Sequence, residues 1–383
     1  MQSDRLAQTD IIQKLRKEWG LTALVAVLLL AGGFSLLQVH WNRLYAVLWL
    51  LIASAITLHQ FSFLWQHLAD NRSQDGQLFE TLGPANQITI LRAVLTGVLA
   101  GFLPGAWPQG WLAWAPGGLY LLVATLDFVD GYVARVTHRT TRLGELLDMK
   151  WDGAGVLVGA ALAVRYAQVP AWFLLVALAR FIFLFGEWYL RRTGHPLYEL
   201  DPSMIRRALA GMQMGFIAVV LLPVFTPPAT QVAATLFMLP FLIHFTRDFL
   251  WVSGRIGPRA ASGQAWHSLG QVRAWLPLGL RAVQIVLLAL VLLEQANAGF
   301  AQIWIVLVAA LALPAILIGA AGRVVALGVL LMSGFALQAA PLHWLYWSIL
   351  LSSTLLFVFG TGRFSLWKPE EWLIYHRAGE ARQ

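Results

Sequence analysis

The sequence contains no cysteine, which removes disulfides, thiolate nucleophiles and cysteine-ligated metals together. Charge is scarce as well: only 12% of the 383 residues are Asp, Glu, Lys or Arg, against 58% hydrophobic. With a mean hydropathy of +0.66, that balance excludes an ordinary soluble domain and indicates an integral membrane protein. A cleavable signal is not evident. Met1–Gly20 is polar and amphipathic, with Lys14, Arg16 and Lys17, and the apolar stretch after it is too long for a signal-peptide core. Nor does an internal repeat point to a duplicated transporter.

What is present is a series of apolar runs. Twelve have helix-crossing length, at about 21–39, 45–65, 88–105, 111–134, 148–167, 169–190, 208–226, 230–252, 274–293, 300–320, 324–340 and 343–361. The eighteen tryptophans suit a chain with many water–lipid boundaries. The net charge of +8 could suggest nucleic acid, so its distribution decides. With the N-terminus inside, all of the 27 basic residues except Arg43, Arg165 and the intramembrane Arg180 gather on one face. That bias predicts both termini on the cytoplasmic side and assigns the surplus charge to topology and anionic headgroups, with no need for nucleic acid.

Three blocks follow. Residues 1–66 form a two-helix membrane extension. Residues 67–252 comprise a polar connector, whose Leu78–Leu82 stretch could lie along the interface, and then six spans. Residues 253–383 are a cytoplasmic linker, Ser253 to Trp275, and four more spans almost free of intramembrane charge. The expected fold is an all-α polytopic membrane protein.

The chemistry concentrates in the middle block. Asp127 and Asp130 are three residues apart, Asp148 and Asp152 four apart, and either spacing stacks two side chains on one helix face. An Asp at a helix end is ordinarily a cap. Four at such spacing, at the ends of apolar runs, are costly unless functional. Together they cannot stay ionised without positive charge between them, so the set reads as a divalent-cation cage. Gly131 and Ala134 leave room for a ligand near the backbone, Arg135 could pair with a phosphate at its helix end, and Gly144 lies in a helix N-terminus that favours an anion. Hard oxygen ligands beside phosphate-binding groups point to Mg²⁺ or Mn²⁺ and a diphosphate.

The pattern Asp127-x2-Asp130-Gly131-x2-Ala134-Arg135-x8-Gly144-x3-Asp148-x3-Asp152 resembles the signature of the CDP-alcohol phosphotransferases, also called CDP-alcohol phosphatidyltransferases, at all of its fixed positions. The resemblance covers about residues 84–252. Upstream, Asn86, Thr89 and Arg92 look like the family's Asn-x2-Thr-x2-Arg at the start of its first core helix; read alone, that motif is also a helix cap plus a membrane-surface arginine. The resemblance implies a six-helix core, here with two extra helices before it and four after. It implies cleavage of a CDP-linked donor, transfer to an alcohol and release of CMP. By its pattern Asp127, Asp130, Asp148 and Asp152 would bind metal, with two ions expected, and Asp152 would also be the catalytic base. Asp127, Asp130, Gly131, Ala134, Arg135, Gly144 and Asp148 would line the CDP site. A homodimer is plausible by the same analogy.

The acceptor site is read from charge. Arg206 and Arg207 follow Asp201-Pro-Ser on the same face as Arg135 and could bind a phosphorylated alcohol, or simply anchor the chain. Arg180 could reach the site or pair with Glu187, seven residues on. His59 and His244 read as packing or interface groups rather than ligands. The expected activity is phosphatidyl transfer from CDP-diacylglycerol to a polar alcohol in phospholipid biosynthesis. The alternative is a choline- or ethanolamine-type phosphotransferase with diacylglycerol as acceptor, a reading the four C-terminal spans favour. A cation transporter, more remotely, would scatter its carboxylates near the midplane, whereas these cluster at one boundary.

Overall fold

In a computed structural model, the described residues form twelve α-helices, one at each of the twelve apolar runs. Described are residues 2–73, 75–137, 139–200, 204–256, 264–299, 302–360, 362 and 364–367, with backbone alone for 2–7, 204–205 and 264–274. The helices are α1 (Gln2–His40), α2 (Arg43–Gln66), α3 (Gly83–Ala100), α4 (Ala115–Val136), α5 (Arg142–Arg165), α6 (Leu174–Arg192), α7 (Met204–Val220), α8 (Ala229–Val252), α9 (Gln264–Asn297), α10 (Ile303–Ile318), α11 (Gly322–Ala339) and α12 (Trp344–Phe359). Pairing of β type among the described residues is confined to two isolated bridges, Arg72–Leu78 and Ala320–Trp367.

Seven helical stretches are long and apolar enough to cross a membrane: Gln8–His40, Arg43–Gln66, Gly110–Val136, Ala171–Arg192, Ala229–Val252, Trp275–Asn297 and Gly322–Ala339. Two shorter apolar helices, Ile303–Ile318 and Trp344–Phe359, follow the same pattern. Helices α3 and α5 are diluted by the polar residues that make up the acidic site, Asn86 to Arg92 and Glu145 to Asp152.

The described residues divide into two units, the first within 1–167 with 217–223, the second within 168–216 with 224–367. In the first unit α1 is a single helix of 39 residues, about 58 Å long and nearly twice a hydrocarbon core. Its middle carries exposed Leu21, Leu24, Val27 and Leu28, a surface suited to lipid, while Leu15 is fully buried. Leu15 joins Phe61, Leu64, Leu68, Leu78, Leu82, Ile90, Leu143 and Trp151 in one apolar cluster. Leu78 and Leu82 are thus committed inward, and the connector is held against α1. Glu18 of α1 accepts the Leu82 backbone N–H at 2.8 Å, and Lys14 bonds Glu80 at 2.9 Å. The connector then turns at Gly83, whose φ of +80° suits glycine, and Pro84 opens α3.

Helix α2 grips the far side of α3 with two side chains. Trp49 Nε1 donates to Val98 O at 2.9 Å and Gln60 Nε2 to Ala93 O at 2.5 Å. Helix α3 in turn packs against both α4 and α5. On α5, Gly155 and Gly159 form a small-x3-small face, and Tyr120 of α4 lies so close that a Cβ on Gly159 would fall 2.7 Å from its Cδ2.

In the second unit, α8 packs against α6 and α12, and α9, α10, α11 and α12 close into a ring of neighbours. Two buried arginines finish its helix ends. Arg281 donates to Ile316 O (3.0 Å) and Leu317 O (2.7 Å) at the end of α10, and Arg323 to Phe357 O (2.6 Å) and Val358 O (3.0 Å) at the end of α12. Between helices, Gln284 bonds Ser353 Oγ at 2.9 Å and receives Ser352 Oγ–H at 2.5 Å. The linker read as Ser253 to Trp275 is shorter than composition suggests, because α9 already starts at Gln264; residues 257–263 lie outside the described residues. The stretch before Trp275 is polar enough to hide a helix from a hydropathy reading.

Candidate functional site: a carboxylate cluster around a buried arginine

The site is built by three helices of the first unit. Asp127 and Asp130 lie in the last three turns of α4, Asp148 and Asp152 in the first three of α5, and the short turn between these helices brings the two ends together. One oxygen each from Asp127, Asp148 and Asp152 falls within 4.8 Å of the others. Asp130 is the buried member and is held differently: Thr89 Oγ1 donates to its Oδ2 at 2.9 Å.

Arg92, on α3, projects into the middle of the four. Its side chain is only 3% exposed. Nη1 pairs with Asp127 and lies 3.0 Å from Asp152, Nη2 donates to Asp148 at 2.7 Å, and Nε is 3.5 Å from Asp130. The membrane-surface reading of this residue is therefore overturned. Positive-inside counting cannot separate an arginine facing headgroups from one turned inward at the same depth.

The start of α3 is fixed by a second network. Asn86 Nδ2 donates to Asn71 Oδ1 (3.2 Å) and Thr141 Oγ1 (3.0 Å), and Asn71 donates to Phe79 O and Thr81 O. Thr141 is also the N-cap of α5, its hydroxyl accepting the Gly144 N–H at 2.9 Å. The N–H that the sequence reading offered to an anion is thus already bonded within the protein. Gly144 has another evident reason to be small, since a Cβ there would sit 2.7 Å from Asn86 Oδ1. Arg139 braces the same corner, donating to Thr81 O and to Thr81 Oγ1 (2.9 Å). Asn71 and Thr141 were missed by the motif reading; the signal for Thr141 was its place just before a helical run.

Around the cluster, Gly131 lies beside Arg135, whose nearest guanidinium nitrogen would be 3.2 Å from an added Cβ. Ala134 lies on the same last turns of α4. Asp148 is 52% exposed and Asp152 37%, so the cluster is buried at Arg92 and Asp130 and open at α5. Arg180, Arg206 and Arg207 belong to the second unit. There Arg206 pairs at 3.2 Å with the buried Asp248, which also lies 3.6 Å from His244. His244 is therefore part of a polar group with Asp248. Arg180 and Glu187 are both half-buried on α6.

The donor set suits a hard divalent cation: three converging carboxylates, at least one of them open to solvent, with a fourth behind them. Helices, hydropathy and this site define a helical membrane protein with an acidic centre shared by α3, α4 and α5. Residues 83–246 match the model of the CDP-alcohol phosphatidyltransferase family. That segment is a CDP-alcohol phosphatidyltransferase domain by this match, and the protein is an integral, multi-pass membrane protein.

Among curated proteins, the CDP-diacylglycerol--glycerol-3-phosphate 3-phosphatidyltransferase of Cereibacter sphaeroides is 32% identical over 104 residues, 26% of this chain and 47% of that protein. The Bacillus subtilis protein of the same name is 34% identical over 62 residues, 16% of this chain and 32% of its own. Human cholinephosphotransferase 1 is 34% identical over 107 residues, 25% and 26% of the two chains. The chain thus spans less than half the length of these relatives. No solved structure matches.

Proposed function

We propose that the protein transfers a phosphatidyl group from CDP-diacylglycerol to a small polar alcohol, releasing CMP. The observation that carries this reading is the convergence of Asp127, Asp148 and Asp152 within a segment matching the family. Two of the relatives are named as CDP-diacylglycerol--glycerol-3-phosphate 3-phosphatidyltransferases, which favours a phosphorylated alcohol as acceptor. Residues 67–252 would be the catalytic core, with six membrane helices, preceded by a two-helix extension (1–66) and followed by a four-helix one (253–383).

Asp127, Asp130, Asp148 and Asp152 would hold Mg²⁺ or Mn²⁺, two ions in all. Bound there, the metal supplies charge neutralisation for the donor diphosphate and the departing CMP. Arg135, with Gly131, Ala134 and Gly144 beside it, would position the CDP group. Asp152 would take the acceptor hydroxyl's proton as its oxygen bonds to phosphorus and the bond to CMP breaks. Arg206, Arg207 and Arg180 would bind the acceptor. The site would face the cytoplasm, where basic residues gather.

A second reading is supported by the likeness to human cholinephosphotransferase 1 and by the four helices after the core: a soluble CDP-alcohol donor with diacylglycerol as acceptor. Purified protein incubated with Mg²⁺ or Mn²⁺ and a panel of donor–acceptor pairs, with CMP release measured, separates the two. Absence of CMP from every pair counts against both.

A further inference from the structure

We propose that Arg92 is the resident cation of the carboxylate cluster, and that its guanidinium and divalent cations compete for the same aspartate oxygens. The proposal rests on the metal-site reading above.

Three facts carry it. The three carboxylates that converge on one point, Asp127, Asp148 and Asp152, are all within ion-pair reach of Arg92. The contacts use both terminal nitrogens, so the planar fork is committed to the positions from which a cation would also be held. Asp130, outside the convergent trio, has a separate donor in Thr89 and lies near Nε.

Charge then decides what kind of partner Arg92 is. One guanidinium among four carboxylates leaves a formal charge of −3 on a set that is only partly open to water, so a further cation is favoured there. An arginine cannot retire by losing its proton, as a lysine can. It therefore keeps the metal-free cluster together and then opposes the cation that displaces it. Metal loading exchanges one positive group for another at the carboxylates.

The test is divalent-cation affinity, not turnover. Full-length protein in detergent is stripped with chelator and titrated with Mn²⁺ by calorimetry, and its unfolding temperature is recorded in chelator and in saturating Mn²⁺. Arg92→Gln removes the opposing charge at contact range, so Mn²⁺ should bind about tenfold more tightly or better. The same variant should unfold at lower temperature in chelator and recover most of the loss in Mn²⁺. Arg92→Lys preserves charge and bulk and guards against misfolding of the glutamine variant. A single ammonium nitrogen cannot span the separate positions that Nη1 and Nη2 reach, so Mn²⁺ should still bind about threefold more tightly. Wild-type or weaker affinity in either folded variant overturns the proposal. If Mn²⁺ binds neither wild type nor variants, the metal-site reading fails along with it.

Discussion

Gly144→Ala should be a damaging methyl addition, although the residue is only half-buried. The new Cβ would lie 2.7 Å from Asn86 Oδ1 and 3.2 Å from Thr141 Oγ1, inside the 3.4 Å at which ordinary contact begins. Thr141 is fixed as a helix cap, so Asn86 must move. Moving it strains the α3–α5 contact, an overpacking cost of about 1–3 kcal/mol. It also weakens the bonds from Asn86 to Asn71 and Thr141, each contributing about 1 kcal/mol. The expected loss is about 2–4 kcal/mol, read as a shift in the denaturant midpoint of the protein in mixed micelles. A double-mutant cycle isolates the cause. In an Asn86→Ala background the methyl has space, and Gly144→Ala should cost under about 1 kcal/mol more, a coupling of at least about 1 kcal/mol. Additive costs, or a Gly144→Ala protein as stable as wild type, would refute the close-approach argument.

Four further outcomes are expected. Asp152→Asn should lower the rate of CMP release by about 10²–10⁴, the usual worth of a general base, with CDP binding measured separately and largely kept. Thr89→Val, nearly isosteric, should cost about 1–3 kcal/mol in denaturant titration by leaving buried Asp130 short of a donor, and Thr89→Ser should restore most of it. Glu18→Ala should destabilise by about 0.5–2 kcal/mol through the lost acceptor at the start of α3, whereas Glu18→Gln, which still presents an oxygen, should be near neutral. Arg206→Gln should raise the acceptor KM about tenfold with the donor KM unchanged, if a charge-assisted bond to the acceptor is lost; an unchanged acceptor KM assigns Arg206 to Asp248 alone.

Periodicity and apolar length made the helices legible, because a chain in lipid must satisfy its backbone internally and shows that need as long runs. The four aspartates were legible for the complementary reason: charge at such depth has no cheap explanation. What hydropathy hid were helices with polar segments. The start of α9 at Gln264 and the first turns of α1 look like linker because they contain few consecutive apolar residues. The partners of Arg92 were not legible, because a one-dimensional reading assigns depth but not azimuth. The three-residue steps from Asn86 to Thr89 to Arg92 put all three on one face of α3, yet which neighbour that face meets is set by tertiary packing. Asn71 lies fifteen residues from its partner Asn86 across an irregular connector, and no periodic signal spans that distance.

The contact between α1 and the connector has a consequence for what counts as a unit. The family's boundary falls at residue 83, one residue after the N–H that Glu18 holds. A chain cut there would lose Leu15, Glu18, Phe61, Leu64 and Leu82 in one stroke, stripping the apolar cover from Ile90, Leu143 and Trp151. The inherited module and the cooperative folding block therefore have different edges. The segment most easily dismissed as an appendage is, for the helix bearing Asn86, Thr89 and Arg92, its foundation.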